Sequence, residues 1–562
     1  LYGNGTGVGY NYDAVGRMTS EYDLTWTGTP PNYTITWTGN TITYQYDAAG
    51  RLTKKTLPNG RYIAYTYDSA GRRTQMTDYF GGQTSYSYDA LGRLTSLTNP
   101  FGEVTTFQYD ANSRLIRKNL ANGSYTTYSY NSRGFLTGIY NYKSNGTLIT
   151  YATYTYDAVG NRLSMSTPEG NYSYSYDAIY RLTGEVNPIG GTYSYTYDAV
   201  GNRLSMTHNG QTINYVYDAG NKLLQAGNAT FTYDGNGNMV SKTENGQTTT
   251  YVYNYEDKMV QVNLPNGSIV YSYDHSGKRI AKTSGGVTID YYFDGDDLIA
   301  EAQGANILAY YTQGQGLISQ RRNNASYFYH YDGLGSTKAL TDANQNIQNT
   351  TKYDAWGNIL QSSGTITNPY LYVGELGYYG DGDAGMYLLT QRWYNPTIGR
   401  FVVRDPDLGA YPDFIYCVDN PTIYADPDGA FLVRLPHLKW PRFPFPRVKF
   451  PIIRIPKIPW PKIPPWVRIP ITIGGGVTFG GFGLITGFLI VDCGFPSSDE
   501  LWGGVFGKWK ECACSELKEA YKILKCDLGR SIIGGLIVLV PKKMVSSLYD
   551  ALNCQLVYGG LD

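Results

Sequence analysis

The sequence predicts an all-β protein made of one curled sheet of repeated hairpins, and three observations predict it. Tyr occurs 57 times and Gly 66 times, while charged residues make up only 16% of the 562-residue chain. That balance favours twisted strands and tight turns over helical bundles. A Tyr-x-Tyr-like pair followed by Asp or Asn recurs at Asp13, Asp47, Asp68, Asp89, Asp110, Asn131, Asp157, Asp177, Asp198, Asp218, Asp234, Asn254, Asp274, Asp294, Asp332 and Asp354, with most gaps 20 or 21 residues. Self-similarity at that period marks a repeat architecture whose units are stabilised by their neighbours. Each copy also carries turn-forming residues at fixed offsets.

The stretch "YSYDALGRL", residues 86–94, shows the logic of one unit. Tyr86 and Tyr88 lie two apart and project from one face of a strand, where they are expected to stack on tyrosines of the neighbouring turn. Asp89 and Gly92 occupy the first and last positions of a type I turn, Gly being free to take the positive φ of a bulge. Arg93 and Leu94 are expected to begin the returning strand. A second turn, such as "LPNGRY" (57–62) or "LPNGSI" (264–269), sends the chain back toward the next Tyr-x-Tyr.

Between the tyrosines stand mostly Ser, Thr and Val, so rings face one way and small polar groups the other. A solid β-solenoid needs an aliphatic inward face, which is scarce here. A curled sheet with water on part of its inner surface fits better. A tyrosine-lined sandwich is the alternative, but a sandwich does not need sixteen near-copies.

Formal net charge is zero, and the zero hides a division. Residues 1–430 hold 29 Lys+Arg and 37 Asp+Glu; residues 431–562 hold 17 and 9. The two parts should attract one another, and neither makes the whole a specific nucleic-acid binder. The opening "LYGNGTGVGY" has no Met, basic n-region or apolar h-region, which reads as a fragment whose export signal lies upstream. Cysteine is absent from the repeats, occurs at Cys417, and then clusters at Cys493, Cys512, Cys514, Cys526 and Cys554.

Certain segments point to a family. "YDAVGNRLS" (156–164 and 197–205) and "YDALGRLTS" (88–96) resemble the YD repeats of the RHS proteins, a family that includes bacterial polymorphic toxins and the repeat region of animal teneurins. "YHYDGLGSTKALTDANQNI", "YDAWGNIL" and "YLLTQRWYNPTIGRFVVRDPDLGAYPDFIYCVDNPTIYADPDG", within residues 329–429, are similar to the RHS repeat-associated core that closes such arrays. The resemblance implies a spiralling β-sheet forming a hollow shell, with YD repeats over 1–328 and the core domain over 329–430. It implies that the shell encloses a variable C-terminal polypeptide, in toxin members an effector freed by self-proteolysis at the core. It implies a secreted or cell-surface bacterial location and allows an immunity protein as a partner. An extracellular structural or adhesive YD-repeat protein with an anchored, non-toxic tail is the competing reading.

Carried over by resemblance, the core's motif positions are Arg392, Tyr394, Gly399, Arg400, Phe401, Arg404, Asp405, Pro406, Asn420, Pro421, Asp426, Pro427 and Gly429. The protease pair maps to Asp405 and Asp426, with Arg404 holding the pair or its strand. Two carboxylates brought close do not both ionise cheaply, so one keeps a proton as acid while the other activates water. Turn chemistry alone is the competing explanation, since Asp-Pro commonly opens turns. Three departures stand out: Ala430 replaces a large apolar residue, Asn395 stands where Asp is usual, and Asp428 adds a third carboxylate. The scissile bond is expected within "AFLVRLP", a region that includes Ala430, Phe431, Leu435 and Pro436.

Other chemistry is thin. His208, His275, His330 and His437 are scattered, and no zinc-protease, nucleophile-elbow or phosphate-loop motif occurs. "FDGDDL" (293–298) and "GDGDAG" (380–385) lack full Ca²⁺-loop spacing. No metal and no cofactor is expected.

After Gly429 the composition changes. Residues 436–470 contain 11 prolines and 8 Lys+Arg with no acidic residue, which predicts an extended polyproline-like linker over 431–470. Its cations and aromatics suit an acidic tyrosine-bearing wall, a membrane surface or nucleic acid, the wall being favoured by the complementary charge of residues 1–430, and a plain linker is the competing reading. Within the variable tail, 471–562 by this division, residues 469–491 form a boundary-spanning run of 23 residues without a charge. The run fits either a membrane span or a buried hydrophobic element. "SELKEAYKILKCDLGR" (515–530) reads as an amphipathic helix capped by Ser515, and "MVSSLYDALNC" (544–554) as another.

Overall fold

The computed structural model describes residues 6–29, 32–405, 414–430 and 433–434, together with two two-residue strands, Ile532–Ile533 and Leu536–Ile537. The chain divides into a unit of residues 1–449 and a unit of residues 450–562. In the second, the two short strands pair antiparallel. The expected linker over 436–470, the uncharged run 469–491 and both expected tail helices lie outside the described residues.

In the first unit, 34 strands from Thr6–Tyr12 to Ile359–Ser363 form one sheet in which each strand pairs antiparallel with the next in sequence. This is the hairpin meander that the period predicts, and it excludes the sandwich. Asp89 shows why the chain turns where it does. Gly92 N donates to Asp89 O at 3.0 Å, Asp89 N to Arg93 O at 3.0 Å, and Gly92 sits at φ 78°. The Asp89 carboxylate accepts from the Leu91 and Arg93 backbone N–H groups at 3.0 and 2.9 Å. A register shift falls between Ser87 and Tyr88, the extra residue that bends the ribbon.

Two local expectations are corrected. The returning strand begins at Leu94, while Arg93 stays in the turn, its Nε donating to Asp89 Oδ2 at 2.6 Å. The residue across from Tyr86 is Leu97, not a tyrosine. Tyr65 likewise faces Met76, Tyr128 faces Ile139, Tyr154 faces Met165 and Tyr251 faces Val262. These hairpins supply a ring from one strand and an aliphatic side chain from the other, whereas Tyr44, Phe107, Tyr174 and Tyr271 face Lys55, Lys118, Glu185 and Lys282. The second tyrosine of several pairs does something different. Tyr67, Tyr109 and Tyr130 donate their hydroxyls to the Leu52, Leu94 and Leu115 carbonyls of the preceding unit at 2.7, 2.6 and 2.9 Å.

The sheet winds back past itself, so that residues far apart in sequence meet along a seam. Tyr65 and Tyr79 hydroxyls reach Asp294 Oδ1 and Phe293 O at 2.7 and 3.0 Å, and Arg73 is paired with Asp294. Further on, Asn99 bonds Thr312, Asn122 bonds Asp342 O and Asn187 bonds Tyr353 O, at 2.9, 2.8 and 3.1 Å. Asn side chains serve this seam well because they satisfy backbone groups that no adjacent strand reaches.

Candidate functional site

Residues 374–405 and 414–430 fold against the wall. A four-stranded sheet of Tyr379–Asp381, Met386–Leu389, Arg392–Asn395 and Arg400–Phe401 carries the motif. Several motif positions act as stitches to the repeats. Arg400 Nη1 and Nη2 donate to Asn202 Oδ1 and Asn221 O, both at 3.0 Å. Tyr394 donates to Trp356 O at 2.7 Å, and Asn420 Nδ2 to Tyr180 O at 2.9 Å. Asp381 is clamped by Arg279 Nη1 and Lys282 Nζ at 3.1 and 2.7 Å. Burial alone would raise its pKa; those two cations outweigh it and hold the carboxyl below the usual range.

The expected pair is brought together, and the residue that joins it is Arg392. Its Nη2 lies 3.0 Å from Asp405 Oδ2 and 3.2 Å from Asp426 Oδ2, so one nitrogen holds an oxygen of each acid. Its Nε donates to the carbonyl of Gly429, its guanidinium lies 3.6 Å from the Phe401 ring centroid, and its buried Nη1 has no hydrogen-bond partner among the described residues. Arg404, expected to hold the pair, is exposed, with its stem against Gly237. Asp405 is half-buried and Asp426 buried.

The surroundings hold the acids in place. Asp426 N donates to the Tyr378 hydroxyl at 2.7 Å, and Tyr378 and Tyr416 share a hydrogen bond at 2.9 Å. Burial, with the Asp426 charge beside it, pushes the Cys417 thiol well up. Cys417, Val418 and Asp419 run through three consecutive positive φ values, 51°, 47° and 58°, a conformation costly for a β-branched residue. Gly429 has φ 74°, and a Cβ there would lie 2.7 Å from Leu389 O and 2.9 Å from Arg392 N. No other residue fits beside the arginine.

The departures from the family pattern have local explanations. Asn395 accepts from Thr397 N and Oγ1 at 3.0 and 2.7 Å, turn bonding that Asn and Asp make equally well. Asp428 Oδ1 accepts from Ala430 N at 3.2 Å, placing the third carboxylate in a turn. Within the cleavage region, Ala430 is half-buried, whereas Phe431, Leu435, Pro436 and the motif's Pro406 lie outside the described residues. Beyond Gly429 the chain doubles back, with Val433–Arg434 pairing Tyr424–Ala425. In "FDGDDL", Asp294 is occupied by Arg73 and Tyr65. Among the described residues, no group of three or more His, Cys, Asp or Glu could hold a metal ion, and no helix is long and apolar enough to cross a membrane.

Comparison with known proteins gives this geometry a family. The Teneurin YD-shell model matches residues 162–421, and the RHS Repeat model matches five overlapping stretches within residues 35–148. The chain belongs to the RHS/YD-repeat proteins. The tRNA3(Ser)-specific nuclease WapA of Bacillus spizizenii is 34% identical over 151 residues, 24% of this RHS chain and 6% of that relative. The toxin protein Tse5 of Pseudomonas aeruginosa is 30% identical over 107 residues, 19% and 8% of the two lengths. The double-stranded DNA deaminase toxin A of Burkholderia cenocepacia is 26% identical over 140 residues, 24% and 9%. The matched stretches thus span less than a tenth of these relatives. The TcdB2-TccC3-Cdc42 crystal structure superposes with TM-score 0.62 at 17% identity, covering 76% of this chain and 26% of that one. The Photorhabdus luminescens Tc holotoxin pore does so with TM-score 0.63 at 17% identity, covering 75% and 26%. The RHS chain therefore has the spiralling YD-shell fold.

Proposed function

We propose that this RHS chain is the shell part of a secreted bacterial toxin that encloses its own C-terminal polypeptide and frees it by self-cleavage at the core. The observation that carries the reading is the single Arg392 nitrogen holding Asp405 and Asp426 together, with Nε of the same side chain on the Gly429 carbonyl. A carboxyl pair held on one nitrogen is suited to hydrolysing a peptide bond in the following segment. The ionised carboxylate takes a proton from water as the oxygen attacks the carbonyl carbon, and its partner, which starts as the protonated acid, gives that proton to the leaving nitrogen as the C–N bond breaks. The unpartnered Arg392 Nη1 is a donor available to the oxyanion that forms. Two further observations support enclosure: the opposite net charges of residues 1–430 and 431–562, and relatives named as toxins.

Intact mass of the purified chain tests cleavage. Two products separating within residues 430–436 are expected, and Asp405→Asn or Asp426→Asn should leave one full-length chain. Full-length protein alone, unaffected by Asp405→Asn, overturns it. Enclosure predicts that the 436–470 run resists added protease until the wall is unfolded; equal digestion in both states overturns it. Bacterial growth unaffected by residues 431–562, expressed in cytoplasm or periplasm, would transfer the tail to the adhesive reading.

A further inference from the structure

The seam between windings contains a carboxyl pair of a different kind. Glu185, on the strand Leu182–Asn187, and Asp354, which opens a repeat turn one winding later, are both buried, at 2% and 6% exposure. Glu185 Oε2 accepts from Ala355 N at 2.9 Å, directly across the seam, and Oε1 accepts from Asn187 Nδ2 at 2.9 Å. The same Asn187 Nδ2 reaches Tyr353 O at 3.1 Å. Asp354 is occupied by its own turn, accepting from Trp356 N, Asn358 N and Asn358 Nδ2 at 3.0, 2.9 and 2.7 Å.

Three other seam acids have a counter-ion, and this pair lacks one. Asp294 has Arg73, Glu375 has Lys118 and Glu169 has Lys352. Among the described residues neither Glu185 nor Asp354 makes an ion pair. The groups facing Glu185 are Asp354 and the tyrosines Tyr172, Tyr174, Tyr176, Tyr193 and Tyr195. Those facing Asp354 are Glu185, Arg203 and the tyrosines Tyr193, Tyr195, Tyr372, Tyr387 and Tyr394. The Arg203 guanidinium is stacked 4.0 Å from the Trp356 ring. The one cation, stacked on an indole, faces Asp354 and not Glu185, so the second negative charge has nothing to balance it.

We propose that Glu185 and Asp354 form a proton-operated latch between windings, closed while the pair retains one proton and loosened when that proton leaves. Burial first, and then the charge of Asp354, push the Glu185 carboxyl up to about 8, and burial raises Asp354 as well. An acid whose pKa is raised on folding opposes folding once it ionises. The closed seam is therefore fully favoured below the ordinary carboxylate range and loses ground as pH rises through neutrality. Such a wall is tighter in a mildly acidic compartment than in a neutral one, whatever it encloses.

Amide exchange of the intact chain at about pH 5.5 and about pH 8.5, corrected for intrinsic rates, tests the latch. Peptides covering 182–187 and 353–363 should exchange on the order of tenfold faster at the higher pH, with Arg73-side seam peptides unchanged. Glu185→Gln, which keeps an acceptor for Ala355 N and has no proton to lose, should abolish that dependence. Exchange independent of pH in the wild type, or an identical dependence in Glu185→Gln, overturns the latch. Should the variant not fold, the infrared band of a protonated carboxyl in wild-type protein carrying 13C-labelled Glu side chains decides, since the label separates Glu185 from buried aspartates such as Asp419, which is itself raised to about 7. Loss of the labelled band between about pH 6 and 9 supports the latch, and its absence at pH 6 overturns it.

Discussion

Arg93 donates from Nη1 to the backbone carbonyl of Asp110, one repeat along, at 3.2 Å, while its Nε holds Asp89 in its own turn at 2.6 Å. The same guanidinium lies 4.8 Å from the centroid of the Tyr109 ring. Arg17, Arg51, Arg72 and Arg181 repeat the bond, reaching the carbonyls of Asp47, Asp68, Asp89 and Asp198 at 3.0, 3.0, 3.0 and 2.6 Å. Each turn is thereby stapled to its successor on the rim where strand pairing ends. Lys keeps a charge for the carboxylate but has no second nitrogen for the carbonyl. Arg93→Lys should cost about 1 kcal/mol locally. Because neighbours carry most of a repeat's stability, the loss should appear as faster exchange confined to turns 89–93 and 110–114. Faster exchange spread evenly over the wall would contradict the staple.

The turn acids set a lower pH limit for the wall. In Asp47 and Asp68 the backbone N–H of the following Arg, first, and then its side chain outweigh burial and hold the carboxyl below its usual value. Asp13 is lowered by the same bonds. A carboxyl depressed on folding contributes stability above its unfolded pKa, and that stability is lost as pH falls through the folded value. Many turns share this sign, so β-signal in circular dichroism should fall together over a narrow interval below about pH 4. Salt should widen the loss only slightly, because backbone hydrogen bonds are screened less than exposed ion pairs. Retention of native signal at pH 2 would contradict it.

What could be read from the sequence was what repeats locally. Asp89 and Gly92 lie within one turn of each other and recur, so their bonding is visible as spacing. The partner of Arg93 lies in the next repeat, and that of Tyr86 is Leu97 on the return strand, so a tyrosine count alone suggested rings stacked on rings. The acid pair was placed by resemblance to known motifs. Arg392 is among those motif positions, while the holding role is read onto Arg404, which is adjacent to Asp405 in sequence. The fold also brings Arg392 in from a neighbouring strand to both acids. Glu185 and Asp354 were not legible together at all, since one reads as an ordinary strand residue and the other as one more turn aspartate. Only the winding of the sheet places them side by side.

The Arg73–Asp294 pair should behave as a seam lock. Both side chains are mostly buried, at 12% and 11% exposure, and Asp294 also accepts from the Tyr65 hydroxyl. Arg73 stacks 4.2 Å from the Tyr65 ring centroid. Arg73→Leu removes the cation and leaves Asp294 buried beside apolar surface, a loss of about 3 kcal/mol. Arg73→Leu with Asp294→Asn should recover part of it, because the orphaned charge is gone. Midpoints of denaturant unfolding followed by exchange at strands 73–77 and 287–294 measure both. Equal losses in the single and double variants would show that the contact contributes nothing specific.

Gly429 is where the wall meets the chain that follows it. Its φ of 74° and the carbonyl of Leu389 at 2.7 Å from any added Cβ leave room only for hydrogen. Gly429→Ala must move either that carbonyl or Arg392 N, and the Arg392 strand is what positions both acids. Left-handed strain alone costs on the order of 1–3 kcal/mol, small against a sheet of this size, so the variant should fold with wild-type circular dichroism. The displaced guanidinium, however, can no longer satisfy Asp405, Asp426 and the residue 429 carbonyl at once. Release of the C-terminal product should slow by at least tenfold, read as the fraction of full-length chain against time after purification. Gly399→Ala provides the comparison. Gly399 also has a positive φ, 65°, but its crowding is against the Arg203 and Trp356 side chains. Slowing in Gly429→Ala without slowing in Gly399→Ala would locate the requirement at the acids; equal slowing in both would make it a general property of the core's folding.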